Sequence, residues 1–354
     1  MSAFGKHRVT VAAVLGGLLL ASTWSSGAPM PQFGSSVQFD KSGPAISMSR
    51  LKGKAVLVIF FQSWCGICNG WAPQMIKELE DAHGNDRTLV MIAIKTDGGG
   101  VSGARDYLKS KGADLNKWCI GSDEGATFYQ QVSGGNELWG YVLVGASGDI
   151  VEQGRAGSFW TSGPDKGKYV LSSADLLKKC GKLETVLPPD REYPPELSKI
   201  VRLAELGCLG KALSLCGSTT QRPKDAAARE GLKQDILAIL DARLRIRMDI
   251  LKDAGTAAGR RYEAYKELTE LAKESGAVPA AREATALLGK TGADPVIQRE
   301  RSAEAAYLLA IQHLRKAGAR DRPRILRELA MVARTYEGTK YGQLAAEESR
   351  PDHH

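Results

Sequence analysis

Between residues 34 and 187 the chain alternates short apolar runs with stretches of helical spacing. Ala55–Phe61 (AVLVIFF) is unbroken in its apolar character, which predicts a central strand buried on both faces. Asn69–Ala82 then sets Trp71, Met75, Ile76 and Leu79 on one side of a helix. Thr88–Ile94 (TLVMIAI) predicts a second buried strand, and Ala104–Lys111 and Ala126–Val132 predict short helices. Tyr141–Val144 and Asp149–Glu152 flank the Gly145–Gly148 turn, which predicts an antiparallel hairpin. Ser172–Cys180 predicts a closing helix. The alternation as a whole is that of an α/β domain, a central sheet flanked by helices.

Residues 188–195 break the pattern. The run Leu187-Pro188-Pro189-Asp190-Arg191-Glu192-Tyr193-Pro194-Pro195 holds two Pro-Pro pairs, which continue neither a helix nor a central strand. It predicts a semi-rigid linker and a domain boundary. From 196 to 350 the signals are almost all helical, rich in Ala, Leu, Arg and Glu, with Gly or Pro at the breaks. A weak repeat runs through this region. Lys266-Glu267-Leu268 through Ala272-Lys273 matches Arg327-Glu328-Leu329 through Ala333-Arg334, and Ala284 matches Ala345 at the same offset of about 61 residues. Tyr336-Glu337-Gly338-Thr339 before Ala345-Ala346, and Gly207-Cys208-Leu209-Gly210-Lys211-Ala212-Leu213, resemble the turns and small-residue packing of tetratricopeptide-like helical hairpins. The offset is too long for that family's period, so the resemblance is to the general class. The expectation is an all-α domain, either stacked helical pairs or an irregular bundle.

Composition narrows the class. At 354 residues there is room for two domains, and 43% hydrophobic with 25% charged residues is the balance of a folded globular chain. The net charge of +8 is uneven: residues 34–195 sum to about zero and residues 196–354 to about +6. No basic run interleaved with aromatics accompanies that surplus, so nucleic-acid binding is not implied. At the N-terminus Lys6, His7 and Arg8 precede an apolar run from Val9 to Ala21, followed by small and polar residues through Ala28. About 13 apolar residues are too few to span a bilayer, which takes about 20. Residues 1–28 therefore read as a secretory signal and its cleavage region. The mature chain is expected to be exported, periplasmic or extracellular, with no stable membrane insertion. There a dithiol can be held oxidised.

The chemistry concentrates in one segment, Phe60-Phe61-Gln62-Ser63-Trp64-Cys65-Gly66-Ile67-Cys68-Asn69-Gly70-Trp71-Ala72-Pro73. A buried strand runs directly into Cys-x-x-Cys, which opens a helix. Residues three apart on a helix have Cβ atoms roughly 5–6 Å apart, close to disulfide distance. The first cysteine sits where unpaired amide hydrogens and the helix dipole favour an anion, which lowers its pKa. Cys65 is the expected nucleophile, and Cys68 the buried thiol that resolves a mixed disulfide.

On these residues the chain resembles the thioredoxin-like superfamily, and within it the extracytoplasmic thiol-disulfide oxidoreductases. The aromatic-rich strand, Trp64-Cys65-Gly66-x-Cys68 and Pro73 five residues beyond carry the likeness, which covers roughly residues 45–180. Ser122-Asp123-Glu124-Gly125 and the Tyr141–Val151 hairpin fall where the family has its later strands. The resemblance implies a thioredoxin-like fold, Cys65 and Cys68 as a redox-active disulfide, and Trp64, Gly66, Ile67, Pro73 and Trp139 as its supporting residues. It implies a protein dithiol or disulfide client and a redox partner protein, with no cofactor. Two family features are missing. The buried aspartate six residues before the first cysteine is Ile59 here, and the cis-proline facing the disulfide is replaced by Trp139, with no proline between Pro73 and Pro164. A non-proline cis peptide costs about 2.5–4 kcal/mol, so a trans bond is expected at Trp139. Trp139 is then either a lid over the disulfide or a core residue. Gly66-Ile67 offers no charge to stabilise a thiolate, which leans toward an electron donor or isomerase. Gln62 stands where peroxidase chemistry needs a threonine or serine.

The remaining cysteines are Cys119, Cys180, Cys208 and Cys216. Each is either a small buried hydrophobe or, in an exported chain, one half of a structural bridge among Cys180, Cys208 and Cys216. The histidines, among them His83 at a helix end, form no pattern, and no metal cluster is apparent; the dithiol alone would permit copper handling. Two functions fit. One is an extracytoplasmic thiol-disulfide oxidoreductase whose helical domain selects clients or docks a protein partner. The other is a non-catalytic helical-repeat scaffold with a thioredoxin-like adaptor.

Overall fold

The computed structural model describes residues 29–34, 36–40, 46–133, 139–159, 167–173, 175–218, 226–275, 278–316, 318 and 320–350. Residues 1–28, read above as a secretory signal, lie outside them. The chain divides into two compact units, the first chiefly Ser47–Asn85 and Met91–Lys182, the second chiefly Leu183 onward.

The first unit holds one six-stranded sheet. In chain order its elements are β1 (Gln38–Phe39), β2 (Ala55–Phe61), α1 (Gly66–His83), β3 (Leu89–Lys95), α2 (Gly100–Ser110), β4 (Cys119–Ser122), α3 (Thr127–Ser133), β5 (Gly140–Val144) and β6 (Ile150–Arg155). The strand order is β1-β4-β3-β2-β5-β6. β2 and β3 are buried at every residue, as continuous apolar runs require when both faces of a strand are covered. β3 runs parallel to β4, pairing Ile92 with Cys119 and Lys95 with Ser122. β5 lies antiparallel to both β2 and β6, with Val58 opposite Val142 and Ile59 opposite Tyr141. The hairpin turns where Gly148 takes a φ of 96°, a conformation that suits glycine.

Several elements differ from the sequence reading: α1 starts three residues early at Gly66, β6 runs on to Arg155, and β1 was not expected. α2 begins four residues early because Gly99 and Gly100, at φ 95° and 60°, turn the chain into the helix. The expected closing helix is instead a pair of 3-10 turns, Val170–Ser172 and Leu176–Cys180. The apolar residues it buries, among those described, are Leu171, Leu176 and Cys180, too short a stripe to stabilise an α-helix, and Gly181 at φ 77° ends it.

The second unit is helical: α4 (Ser198–Glu205), α5 (Leu209–Gly217), α6 (Ala226–Lys252), α7 (Ala258–Glu274), α8 (Pro279–Thr291), α9 (Pro295–Lys316), α10 (Arg322–Thr335) and α11 (Lys340–Glu348). α6 buries Leu232, Ile236, Leu240, Leu244 and Met248, a strict i,i+4 stripe. Residues 188–195 belong to this unit, where Arg191 and Tyr193 both bind the Asp235 carboxylate of α6, the tyrosine at 2.9 Å. The sequence repeat has a structural counterpart. Leu268 and Leu329 occupy α7 and α10, Ala284 and Ala345 occupy the helices that follow, and all four are fully buried. α7 packs on α8 as α10 packs on α11. Gly342 is required where α11 meets the preceding turn, since a Cβ there would lie 2.1 Å from the Tyr336 carbonyl oxygen. Among the described residues no helix is long and apolar enough to cross a membrane.

Candidate active site

The apolar strand β2 ends at Phe61, and four residues later the chain enters α1 with Cys65 as its N-cap. Cys65 has the extended backbone of a cap residue, φ −71° and ψ 99°. Its Sγ takes the place of a capping oxygen, accepting the Cys68 N–H at 3.3 Å. Cys65 and Cys68 are joined as a disulfide with Cα atoms 5.3 Å apart. Both cysteines are 4% exposed, whereas Trp64 is 65% and Ile67 85% exposed. Gly66 is exposed too, and a Cβ on it would meet nothing within 4 Å. The buried disulfide is thus flanked by two exposed apolar side chains, Trp64 and Ile67.

Pro73 sits inside α1 and brings no N–H for the Asn69 carbonyl, which instead receives a long contact from Lys111 Nζ at 3.5 Å. Trp139 is 1% exposed, so of the two roles open to it the structure gives the core. Its ring packs against Trp71, Phe61 and Tyr107, and its indole N–H donates to the Gln62 carbonyl at 3.3 Å. The peptide bond that enters Trp139 begins at residue 138, outside the described residues. Ile59, at the place of the family's buried aspartate, is buried in β2, leaving no carboxylate there.

The carboxylate near the cysteines comes from elsewhere. Asp97, just past β3, accepts both the backbone N–H of Ser63 at 3.0 Å and its hydroxyl at 2.5 Å. Buried Lys95 pairs with Asp97 at 3.0 Å and donates to the Asp97 carbonyl. Partial burial pushes the Asp97 carboxyl up, but hydrogen bonds from Ser63 and Lys95 outweigh it and hold the group below its ordinary range. On the other side of Ser63, its carbonyl accepts Asn69 Nδ2 at 3.0 Å, and Asn69 Oδ1 accepts the Tyr107 hydroxyl. Burial, with the Asp97 charge adding to it, pushes the Tyr107 phenol up to about 12, so it stays a donor at neutral pH. Gln62 Nε2 donates to Thr96 Oγ1 at 2.8 Å. Ser63, Asn69, Asp97 and Tyr107 were not foreseen from sequence. Only a Ser two residues before the first cysteine and an Asp ending the second strand hinted at them, and both are common loop residues.

Cys119, Cys180, Cys208 and Cys216 are buried and form no disulfide, so of the two alternatives left open for them they take that of small buried residues. Burial pushes the Cys180 thiol up to about 11 and raises that of Cys216, which makes both poor nucleophiles. Among the described residues no group of three or more His, Cys, Asp or Glu side chains is placed to hold a metal ion.

Residues 25–168 match the Redoxin family model. No curated protein sequence matches the chain. Among solved structures, a proposed protein disulfide isomerase from Bacteroides thetaiotaomicron is 26% identical over 37% of this chain and 79% of that one, at a TM-score of 0.32. A thioredoxin-family thiol:disulfide interchange protein from Chlorobium tepidum is 21% identical over 37% and 88%, at 0.29. The thioredoxin domain of a thiol-disulfide oxidoreductase from Bacteroides vulgatus is 19% identical over 36% and 87%, also at 0.29. The first unit thus has a thioredoxin-like sheet with flanking helices, lies largely within the residues that match the Redoxin model, and carries a Cys65–Cys68 pair at the start of its first helix.

Proposed function

We propose that this chain is an exported thiol-disulfide oxidoreductase acting on protein clients, with Cys65 as nucleophile and Cys68 as resolving thiol. The observation that carries the reading is the position of Cys65 as the N-cap of α1, its sulfur receiving the Cys68 N–H at 3.3 Å. A thiolate formed there gains both that hydrogen bond and the positive end of the helix. In the reducing direction, the Cys65 thiolate attacks one sulfur of a client disulfide. The Cys65–client S–S bond forms, the client's own S–S bond breaks, and one client thiolate leaves. The Cys68 thiolate then attacks Cys65 Sγ, closing the Cys65–Cys68 bond and releasing the second client thiolate. Two electrons pass from the dithiol to the client disulfide, and two protons end on the client thiols at neutral pH. A redox partner protein restores the dithiol by the same exchange in reverse.

Trp64 and Ile67 give the client an apolar footing beside the disulfide, and Gly66 leaves space for its backbone. Pro73 and Trp139 support the site from α1 and from the core. In this reading residues 1–28 are the secretory signal, 34–187 the catalytic domain, 188–195 the connection and 196–350 the helical region that selects the client. The test is to express the mature chain as Cys68→Ser in an exporting host and to look for mixed disulfides through Cys65. Discrete protein adducts, lost again in Cys65→Ser/Cys68→Ser, are expected. A Cys65 unreactive to alkylation near neutral pH and free of adducts would leave the non-catalytic scaffold as the function.

A further inference from the structure

Everything that fixes the approach to Cys65 converges on Ser63. Its N–H and hydroxyl both end on Asp97, itself held by buried Lys95, and its carbonyl is held by the Asn69 amide, which Tyr107 orients. Gln62, one residue earlier, is tied on its carbonyl by Trp139 and on its side chain by Thr96. Trp64, one residue later, is held by none of these and stands exposed. The result is a loop whose backbone is held from β3 and α1, the latter braced by α2, up to Ser63, two residues before the nucleophile, while the Trp64 side chain between them is exposed. Asn69 closes the arrangement, because its backbone N–H makes the first helical bond to the Cys65 carbonyl at 2.9 Å while its side chain reaches back to Ser63.

A cap works only if its acceptor stays on the amide hydrogens, and a loop free to fray carries the acceptor away with it. Cysteine is not among the strong capping residues, so its hold on the Cys68 N–H needs outside support. We propose that Asp97, acting through Ser63 and backed by Asn69, is a positioning residue that keeps Cys65 Sγ on the helix N-terminus once the disulfide opens, and so sets the acidity of the attacking thiol. This rests on the redox reading above and adds to it the group that takes over when the covalent tether to Cys68 is gone. It also answers the loss of the family's buried aspartate. A carboxylate still serves the site, but from the end of β3, and it works on the backbone before Cys65.

The direct variant, Asp97→Ala, leaves buried Lys95 with backbone carbonyls but no carboxylate to balance its charge, and risks unfolding. The test therefore uses the full mature chain as Ser63→Ala/Asn69→Ala, which leaves the Asp97–Lys95 pair intact, and Ser63→Thr, which keeps the hydroxyl. Each is reduced, and the rate of Cys65 alkylation by iodoacetamide is followed against pH, with thermal unfolding recorded alongside. The double variant is expected to raise the midpoint pH by about 0.5–1 unit, the scale of a helix-terminus interaction with a charge. Ser63→Thr is expected to stay at the wild-type midpoint. Because the Ser63 N–H still reaches Asp97 in the double variant, Asp97→Asn is run beside it, and an unchanged midpoint in both overturns the proposal, even if they unfold at lower temperature. So does a Ser63→Thr shift as large as that of the double variant, which would make the effect one of packing. A wild-type chain with no titrating thiol between pH 5 and 9 would overturn the redox reading itself, and this inference with it.

Discussion

Cys65, Gly66, Ile67 and Cys68 were readable from sequence because their spacing is itself the chemistry: two thiols three apart on a helix must face one another. Ser63 and Asp97 were not, since their meeting spans 34 residues and depends on β3 ending beside β2. Asp97 makes a pH prediction of definite sign. Its folded pKa lies below the ordinary value of 3.8, so it stabilises the fold fully above that value. The contribution is lost as pH falls from there through the lower folded pKa. Urea denaturation of wild type and Asp97→Asn is expected to show the wild type more stable at pH 7, with the gap closing under acid. A gap that widens on acidification would contradict the assignment. At the site itself, Cys65→Ser is expected to form no mixed disulfide on non-reducing gels, whereas Cys68→Ser permits a single attack and then stalls as a mixed disulfide.

At the scale of elements, β2, β3 and the hairpin were legible because a buried strand must be apolar throughout and a tight turn must hold glycine. The closing segment misled because Leu176, Leu177 and Cys180 imitate helical spacing over a length too short to sustain a helix. Trp139 was legible as a substitution but not as a position. Its burial follows from a cluster that assembles rings from β2, α1, α2 and the entry to β5. Removing it as Trp139→Ala is expected to cost about 3–5 kcal/mol, the range for deleting a large buried aromatic, measured by urea unfolding. Gly157 belongs to the same assembly, because a Cβ there would lie 2.7 Å from the Trp71 ring. Gly157→Ala is expected to destabilise by about 1–3 kcal/mol and to change the near-UV circular dichroism of the tryptophans. No effect in either signal would mean that the ring has room to move.

Across the whole molecule, the order of an α/β unit followed by a helical one was legible from the change of hydrophobic period. The role of residues 188–195 was less so, because Arg191 and Tyr193 find their partner Asp235 more than 40 residues downstream, in the second unit. The repeat at 266–284 and 327–345 was visible because equivalent packing positions demand equivalent residues, here Leu268 with Leu329 and Ala284 with Ala345. Leu240→Ala in α6 is expected to destabilise the helical unit by about 2–5 kcal/mol while leaving the alkylation midpoint of Cys65 in place. Redox activity is assigned to one pair of the six cysteines in this chain. Its most direct test counts alkylated thiols by mass spectrometry on the native, folded chain, before and after mild reduction with a defined glutathione or dithiothreitol buffer. No alkylated thiol is expected when oxidised and two when reduced, mapping to Cys65 and Cys68, with the change reversed on reoxidation. A count that does not change, or that maps to Cys119, Cys180, Cys208 or Cys216, would contradict it.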